Sequence, residues 1–228
     1  MDLEEIKKHE VFKTISTTAK LYLYNGKIYK LFDDRINVNE SILFDLYNSP
    51  VDNCARIYDL LYDEDLIGYS MKYYNGYKEI DKKRISLELK KLYAHKLIEV
   101  YNELKKRGYI YYDFHGRNIL VKDEDLVLID IDGCIENEGA NDILGVGYLN
   151  NFILSFMHDC NLDLCKNKNE ILRIIHSDLS YDYKEKGSLE ELDEYILNIN
   201  SSDIKKMQRK LSKIRWIYGS KRFKWLWN

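Results

Sequence analysis

The chain predicts an α+β fold, and three observations carry that prediction. Short runs of alternating apolar and polar residues, broken by turn signals, fill the N-terminal part. From about Asp81 onward the apolar residues recur at helical spacing. A polar loop with a short apolar strand after it interrupts the helical part once, around residues 109–133. Strands first and helices afterwards is the α+β order.

Taken in turn, Val11-Phe-Lys-Thr-Ile15 reads as a strand and Ser16-Thr-Thr-Ala19 as a turn of small residues. Lys20 to Tyr24 and Lys27 to Phe32 alternate on either side of Asn25-Gly26, a pair suited to the positive φ of a two-residue hairpin turn. In the last of these strands Ile28, Lys30 and Phe32 share one face, and Tyr29 and Leu31 the other. Asn37 to Asn48 predicts a short helix, capped by Asn37 or Asn39, with Ile42, Leu43 and Leu46 on its apolar side. Arg56 to Tyr62 and Leu66 to Tyr74 predict a second hairpin joined by Asp63-Glu64-Asp65, and Asn75-Gly76 breaks it off. Asp81 to Arg107 predicts one long helix through Leu87, Leu92, Leu97, Val100, Tyr101 and Leu104, ended by Gly108. Asn141 to Met157 is apolar nearly all round and predicts a buried helix. Helices are also predicted at 169–176, 188–198 and 202–217, before an aromatic tail with Trp225 and Trp227.

Composition narrows the function classes. At 228 residues, 45% of them hydrophobic, the chain suffices for one domain of two lobes, and no Pro-rich or Gly/Ser-rich linker marks a detachable module. A net charge of −3 and a pI near 6.0 provide no basic field, which argues against nucleic acid as a partner. The nine Lys/Arg and three Trp from Lys205 to Trp227 are the exception, and a C-terminal helix with buried tryptophans and a solvated basic face is the simpler account of them. No apolar run approaches the roughly 20 residues that span a bilayer. The acidic N-terminus lacks the order of a signal peptide. The four cysteines read as free packing thiols, and His158, Cys160 and Cys165 lack a zinc spacing and an evident fourth ligand. A cytoplasmic protein with no membrane partner is the expectation.

The stretch Tyr111-Tyr112-Asp113-Phe114-His115-Gly116-Arg117-Asn118 is the most informative in the chain. Asp113 stands five residues before Asn118. An apolar strand, Leu126-Val-Leu-Ile129, runs into Asp130 twelve residues after Asn118, with Asp132-Gly133 behind it. Phosphoryl transfer from ATP needs these groups: a carboxylate to orient an attacking hydroxyl, and an amide oxygen with a carboxylate to hold Mg²⁺ on the phosphates.

In spacing, this loop and strand resemble the catalytic loop and metal-binding strand of the protein-kinase-like superfamily. The form Asp113-Phe-His115-Gly-Arg-Asn118 is similar to the Asp-x-His-x-x-Asn of aminoglycoside and choline kinases and of some bacterial protein kinases. The resemblance covers about residues 11–157. It implies a two-lobe fold: an N-lobe of antiparallel sheet with one helix over about 1–74, and a mainly helical C-lobe over about 75–228. It implies ATP and Mg²⁺ as cofactors and a hydroxyl-bearing protein or small molecule as acceptor. Asp113 would be the catalytic Asp, His115 would support the loop or help position phosphate, and Asn118 would brace Asp113 and hold Mg²⁺. Asp130 is the preferred metal carboxylate, with Asp132 binding a second ion or capping the turn. Lys30 would contact the phosphates with Glu40, the one Glu between Lys30 and Glu64, as its partner. Met71 and Tyr73 would belong to the hinge against adenine, Ser16, Thr17 and Thr18 to the loop over the nucleotide, and Asp142 to the backbone support of the catalytic loop.

The chain departs from that family in three places. Tyr111-Tyr112 replaces the usual His-Arg, which removes the partner of an activating phosphate. Ser16 to Ala19 has no glycine where the nucleotide-covering loop is normally Gly-rich. The segment from Gly133 to Asp142 is short and no Ala-Pro-Glu follows, which favours a small alcohol or an atypical Ser/Thr substrate. Ile175-His-Ser-Asp-Leu179 imitates a catalytic loop, but residue 183 is Tyr rather than Asn. The alternative function is a catalytically weak or inactive pseudokinase that serves as a binding scaffold.

Overall fold

The structure is a computed structural model that describes residues 3–9, 11–15, 19–33, 38–80, 85–138, 141–158 and 189–217. The chain divides into two compact units, one of Met1–Lys82 with Val100–Asn137 and one of Lys83–Glu99 with Glu138–Asn228.

The first unit begins with a short helix, α1 (Leu3–Lys7), and strands β1 (Val11–Ile15), β2 (Ala19–Tyr24) and β3 (Lys27–Phe32). Asn25 and Gly26 take φ of 48° and 72°, as the hairpin between β2 and β3 requires. Helix α2 (Glu40–Asn48) follows, then β4 (Ile57–Asp63) and β5 (Asp65–Lys72). The five strands form one antiparallel sheet in the order β1-β2-β3-β5-β4. Asp63 and Asp65 pair with each other and Glu64 alone turns the chain at φ 64°, so the second hairpin is tighter than the predicted three-residue loop. Strand β5 also stops at Lys72, which leaves Tyr73 and Tyr74 just beyond the ladder.

One face of this sheet holds Tyr22, Tyr29, Leu31 and Leu61, packed with Ile6 of α1. The other face carries Lys30, which lies opposite Leu21 of β2 and Tyr69 of β5. Gly68 faces Leu31 across the β3–β5 ladder, where a Cβ would lie 2.2 Å from the Lys30 carbonyl oxygen. Only glycine lets the two backbones meet there. Helix α2 is capped by Asn39, whose side chain accepts from the backbone N–H of Ser41 and Ile42. It buries Ile42, Leu43 and Leu46.

The rest of this unit consists of short strands: β6 (Lys78–Glu79), β7 (Tyr109–Tyr111), β8 (Ile119–Lys122), β9 (Asp125–Leu128) and β10 (Cys134–Glu136). Strands β6, β8 and β9 make a three-stranded sheet, and β7 pairs with β10. Short 3-10 turns at Gly116–Asn118 and Ile131–Gly133 precede β8 and β10. Sequence patterning does not reveal β6, β10 or α1, because elements this short carry no period. Backbone bonds from Leu128 N–H to Asn53 (2.7 Å) and from Ala55 N–H to Leu128 (2.8 Å) tie the loop before β4 to β9. Cys54 and Cys134 are free and buried, and burial pushes the Cys54 thiol up to about 12, so it stays an inert packing group. Helix α3 (Leu87–Lys106) enters this unit with its last turns, from Val100, and ends at Gly108 with φ 82°.

The described residues of the second unit are mainly helical: α4 (Asn141–Met157), α5 (Leu189–Asn198), α6 (Ser201–Ile217) and the first part of α3. Lys91 of α3 donates to the Leu197 carbonyl at 2.7 Å, and His95 meets Asp193 of α5 at 2.9 Å. Asn200 caps α6, accepting from Ser202 and Asp203 N–H while Asp203 accepts from Asn200 N–H. Helix α4 differs from its prediction. Leu149, Ile153, Leu154 and Met157 are buried, but Ile143 and Leu144 are 76% and 58% exposed. The buried apolar residues form one stripe over the later turns of the helix, whereas the two exposed ones lie in its first turn. The predicted helix at 169–176, the loop-like Ile175–Leu179, Cys160, Cys165, Trp225 and Trp227 lie outside the described residues.

This architecture is an antiparallel sheet region followed by a mainly helical part, as α+β predicts. No helix among the described residues is long and apolar enough to cross a membrane.

Candidate active site

The polar residues singled out by spacing converge within the first unit, and local structure explains how. Strand β7 delivers the chain to Asp113 and the turn at Gly116–Asn118 opens into β8. The β8–β9 hairpin then reverses direction over Asp123, at φ 51°, and Glu124, so the end of β9 returns beside Asn118. Ile129 N–H donates to the Asn118 carbonyl at 2.8 Å and closes the ladder. Twelve residues of separation thus become adjacency between Asn118 and the segment that bears Asp130. Asp130 is two residues beyond β9, in the left-handed region at φ 64°, rather than at the strand's last position. A non-glycine residue held there is uncommon and is found mostly for Asn and Asp.

Asn118 is buried and its side-chain nitrogen is fully committed. Nδ2 donates to Asp113 Oδ2 at 2.8 Å, to the Asp113 carbonyl at 3.1 Å and to Tyr111 Oη at 3.0 Å. Among the described residues no donor meets its Oδ1. The Tyr111 hydroxyl lies 3.2 Å from the Asp113 carbonyl and 3.3 Å from that of Ile129, within reach of a shared donation to both. Phe114 packs edge-on against the Tyr111 ring at 4.9 Å. Tyr111, which replaces the histidine usual in the resembled loop, is the hub of this one.

Asp113 is half-buried, and His115 Nε2 lies 3.3 Å from the Asp113 Oδ2 that Asn118 also holds. The His115 contact lowers the Asp113 pKa more than burial raises it, with Asn118 and Arg117 adding to the lowering. Asp113 is thus an ionised acceptor, and among the described residues no donor meets its Oδ1.

Lys30 is 5% exposed, and its ammonium bonds three carboxylate oxygens. It donates to Asp130 Oδ1, and to Asp132 Oδ1 and Oδ2 at 2.7 and 2.8 Å. Burial by itself lowers the pKa of a lysine, but Asp132 and Asp130 outweigh it and hold Lys30 charged above its ordinary value. Tyr69, fully buried on β5, donates its hydroxyl to Asp132 Oδ1 at 2.7 Å. Burial, with Asp132 and Asp130 beside it, pushes the Tyr69 phenol well up and keeps it a donor.

The remaining candidates are placed as follows. Glu40 is the exposed first residue of α2, and the Tyr62 hydroxyl donates to it at 2.9 Å. Among the described residues the acidic partners of Lys30 are Asp130 and Asp132, so the expected Glu40–Lys30 pair is not formed. The physical reason is register: the helix buries Ile42, Leu43 and Leu46 and leaves Glu40 at its solvated N-terminal end. Met71 is buried opposite Ile28, and Tyr73 directly follows β5. Ser16, Thr17 and Thr18 lie outside the described residues. Asp142 is in the first turn of α4, in the second unit. Spacing alone does not reveal Tyr69 or Tyr111. The signal for Tyr69 is its cross-strand position opposite Lys30 on one sheet face, which requires the β3–β5 register.

No protein-family model and no curated protein matches the chain. Among solved structures, the fold matches the structure of the Cydia pomonella granulovirus kinase PK-1 with a TM-score of 0.53. The identity is 17%, and the match covers 73% of this chain and 75% of that one. This likeness shows the fold: the chain adopts a protein-kinase-like fold.

Proposed function

We propose that this protein is a phosphotransferase that moves the γ-phosphate of ATP to a hydroxyl with the aid of Mg²⁺. The observation that carries the reading is the gathering of Asp113, Asn118, Asp130 and Lys30 in one unit of a protein-kinase-like fold. The donor set fits the ion. Asn118 Oδ1 and Asp130 Oδ2 are oxygens that no donor meets among the described residues. Two such oxygens suit Mg²⁺, which is usually bound through one or two protein oxygens with substrate phosphates and water completing the shell. When bound, Mg²⁺ neutralises charge on the phosphates.

The chain's own groups would do the rest. Asp113, ionised and with Oδ1 open, accepts a hydrogen bond from the attacking hydroxyl and orients it. Lys30 offers a fixed positive charge to the phosphates, and Met71 with Tyr73 borders the adenine. Catalysis is then positioning and charge stabilisation. The short segment between Gly133 and Asn141 favours a small alcohol as acceptor, with an atypical Ser/Thr protein substrate as the other class. A scaffold without turnover is the second reading, favoured by one observation: both Asp130 and Asp132 hold the Lys30 ammonium.

Thermal unfolding with ATP, with Mg²⁺ and with both tests the reading. Ligand near 100 Kd stabilises the folded state by about 2.7 kcal/mol, several degrees at roughly 2–4 °C per kcal/mol. The shift is expected to need both ligands and to vanish in Asp130→Asn. No shift at millimolar ATP in the unaltered chain sinks the nucleotide site. A shift without Mg²⁺-dependent hydrolysis or autophosphorylation leaves the scaffold. Asp113→Ala is expected to abolish transfer while the ATP-induced shift persists, and full turnover in that variant refutes the role of Asp113.

A further inference from the structure

The two carboxylates that flank Lys30 are not equivalent. Asp132 is the more buried, with its side chain 12% exposed against 23% for Asp130. Both Asp132 oxygens are occupied by protein donors: Oδ1 receives Lys30 and the Tyr69 hydroxyl, and Oδ2 receives Lys30. Asp130 gives Lys30 one oxygen only. Lys30 and Tyr69 are cross-strand partners on β3 and β5, so the donors to Asp132 stand on a rigid ladder. Asp132 lies in the turn Ile131–Gly133, and Cys134, directly after it, is pinned by β10 to Tyr111 of β7. Asp132 thus joins the strand ladder to β10 and, through it, to β7 ahead of the catalytic loop. Glu40, which would otherwise brace the lysine, is bonded to Tyr62.

The geometry points to Asp132 as the positioning residue of Lys30, braced by Tyr69, which leaves Asp130 as the metal carboxylate. The pairing with a helix glutamate is replaced here by an aspartate two residues beyond the metal aspartate and a tyrosine on the neighbouring strand. A carboxylate with both oxygens filled by fixed donors is a poor ligand for an ion that would have to displace them. The description of Lys30 as the phosphate contact rests on the proposed phosphotransferase reading, but the bond network itself does not.

The test therefore uses the ligand-free, full-length chain. A buried, hydrogen-bonded lysine ammonium exchanges its protons slowly and is visible by NMR in protein carrying ¹⁵N-lysine, with Lys30→Arg identifying the signal. In Asp132→Asn the exchange of the Lys30 ammonium is expected to quicken by about tenfold or more, the fold-change of losing a charge-assisted hydrogen bond. Asp132→Glu is expected to restore part of the protection. Tyr69→Phe is expected to quicken exchange by about two- to tenfold, and Tyr69→Phe with Asp132→Asn to match Asp132→Asn alone, because Tyr69 acts through Asp132. Glu40→Gln and Asp130→Asn are expected to retain a slow signal. Loss of protection in Glu40→Gln or Asp130→Asn with retention in Asp132→Asn overturns the assignment. If Asp132→Asn does not fold, Tyr69→Phe decides: quicker exchange supports the brace and unchanged exchange overturns it. Absence of any ATP-induced shift in the unaltered chain counts against the phosphotransferase reading alone, since the ammonium signal needs no nucleotide.

Discussion

At the residue scale the site depends on two buried tyrosines as much as on its carboxylates. The Tyr111 hydroxyl accepts from Asn118 Nδ2 and lies within reach of the carbonyls of Asp113 and Ile129. Tyr111→Phe strands part of a buried amide and is expected to cost about 1–3 kcal/mol, read as a lower urea midpoint with an unchanged m-value. A change below a few tenths of a kcal/mol would remove Tyr111 from its place as hub. His95 yields a pH prediction with a definite sign. Its bond to Asp193 raises its pKa most, Glu99 adds to this, and burial opposes. The stabilisation is therefore fully present below the unfolded-state value near 6.5 and is lost as pH rises through the higher folded value. His95 is about half exposed, so the effect is expected to stay under roughly 1 kcal/mol. Unfolding midpoints on either side of that window should differ in the unaltered chain and converge in Asp193→Asn. An equal pH response in both would exclude the pair as the cause.

Strands and turns were legible wherever local chemistry is strong. Asn25-Gly26 was legible as a hairpin turn and takes the positive φ it implies, and the second hairpin turns within the predicted Asp63–Asp65, at Glu64; the turn at Asp123 appears only in the structure. Helix α2 starts after Asn39 because that side chain satisfies two N–H groups that the helix cannot. What patterning could not reveal is how β3 meets β5. Gly68 shows why the meeting is so close, and Gly68→Ala tests it. A Cβ 2.2 Å from the Lys30 carbonyl forces the strands apart. The expected loss is at least the roughly 1–3 kcal/mol typical of overpacking, accompanied by weaker protection of the Lys30 ammonium. A variant as stable as the parent would mean that the β3–β5 ladder yields there at little cost.

Over the whole molecule the candidate site and the helical core belong to different units. Lys30, Asp113, Asn118, Asp130 and Asp132 all lie in the unit of Met1–Lys82 and Val100–Asn137. Leu192, fully buried on α5, lies in the other. Leu192→Ala is expected to cost about 2–5 kcal/mol while the ATP affinity proposed for the first unit is retained in the folded protein, which calorimetry below the unfolding transition would measure. A large loss of affinity without unfolding would contradict that separation. The sequence by itself determined the α+β order, the main hairpins, the long helix and the five- and twelve-residue spacings around Asn118, because hydrophobic period, turn residues and caps act over a few positions. Tertiary structure alone decided that Lys30 meets carboxylates a hundred residues away, that Glu40 turns to Tyr62 instead, and that Tyr69 and Tyr111 hold the site. Those outcomes depend on strand register and on which buried groups must find partners once water is excluded, and neither is written in the neighbouring residues.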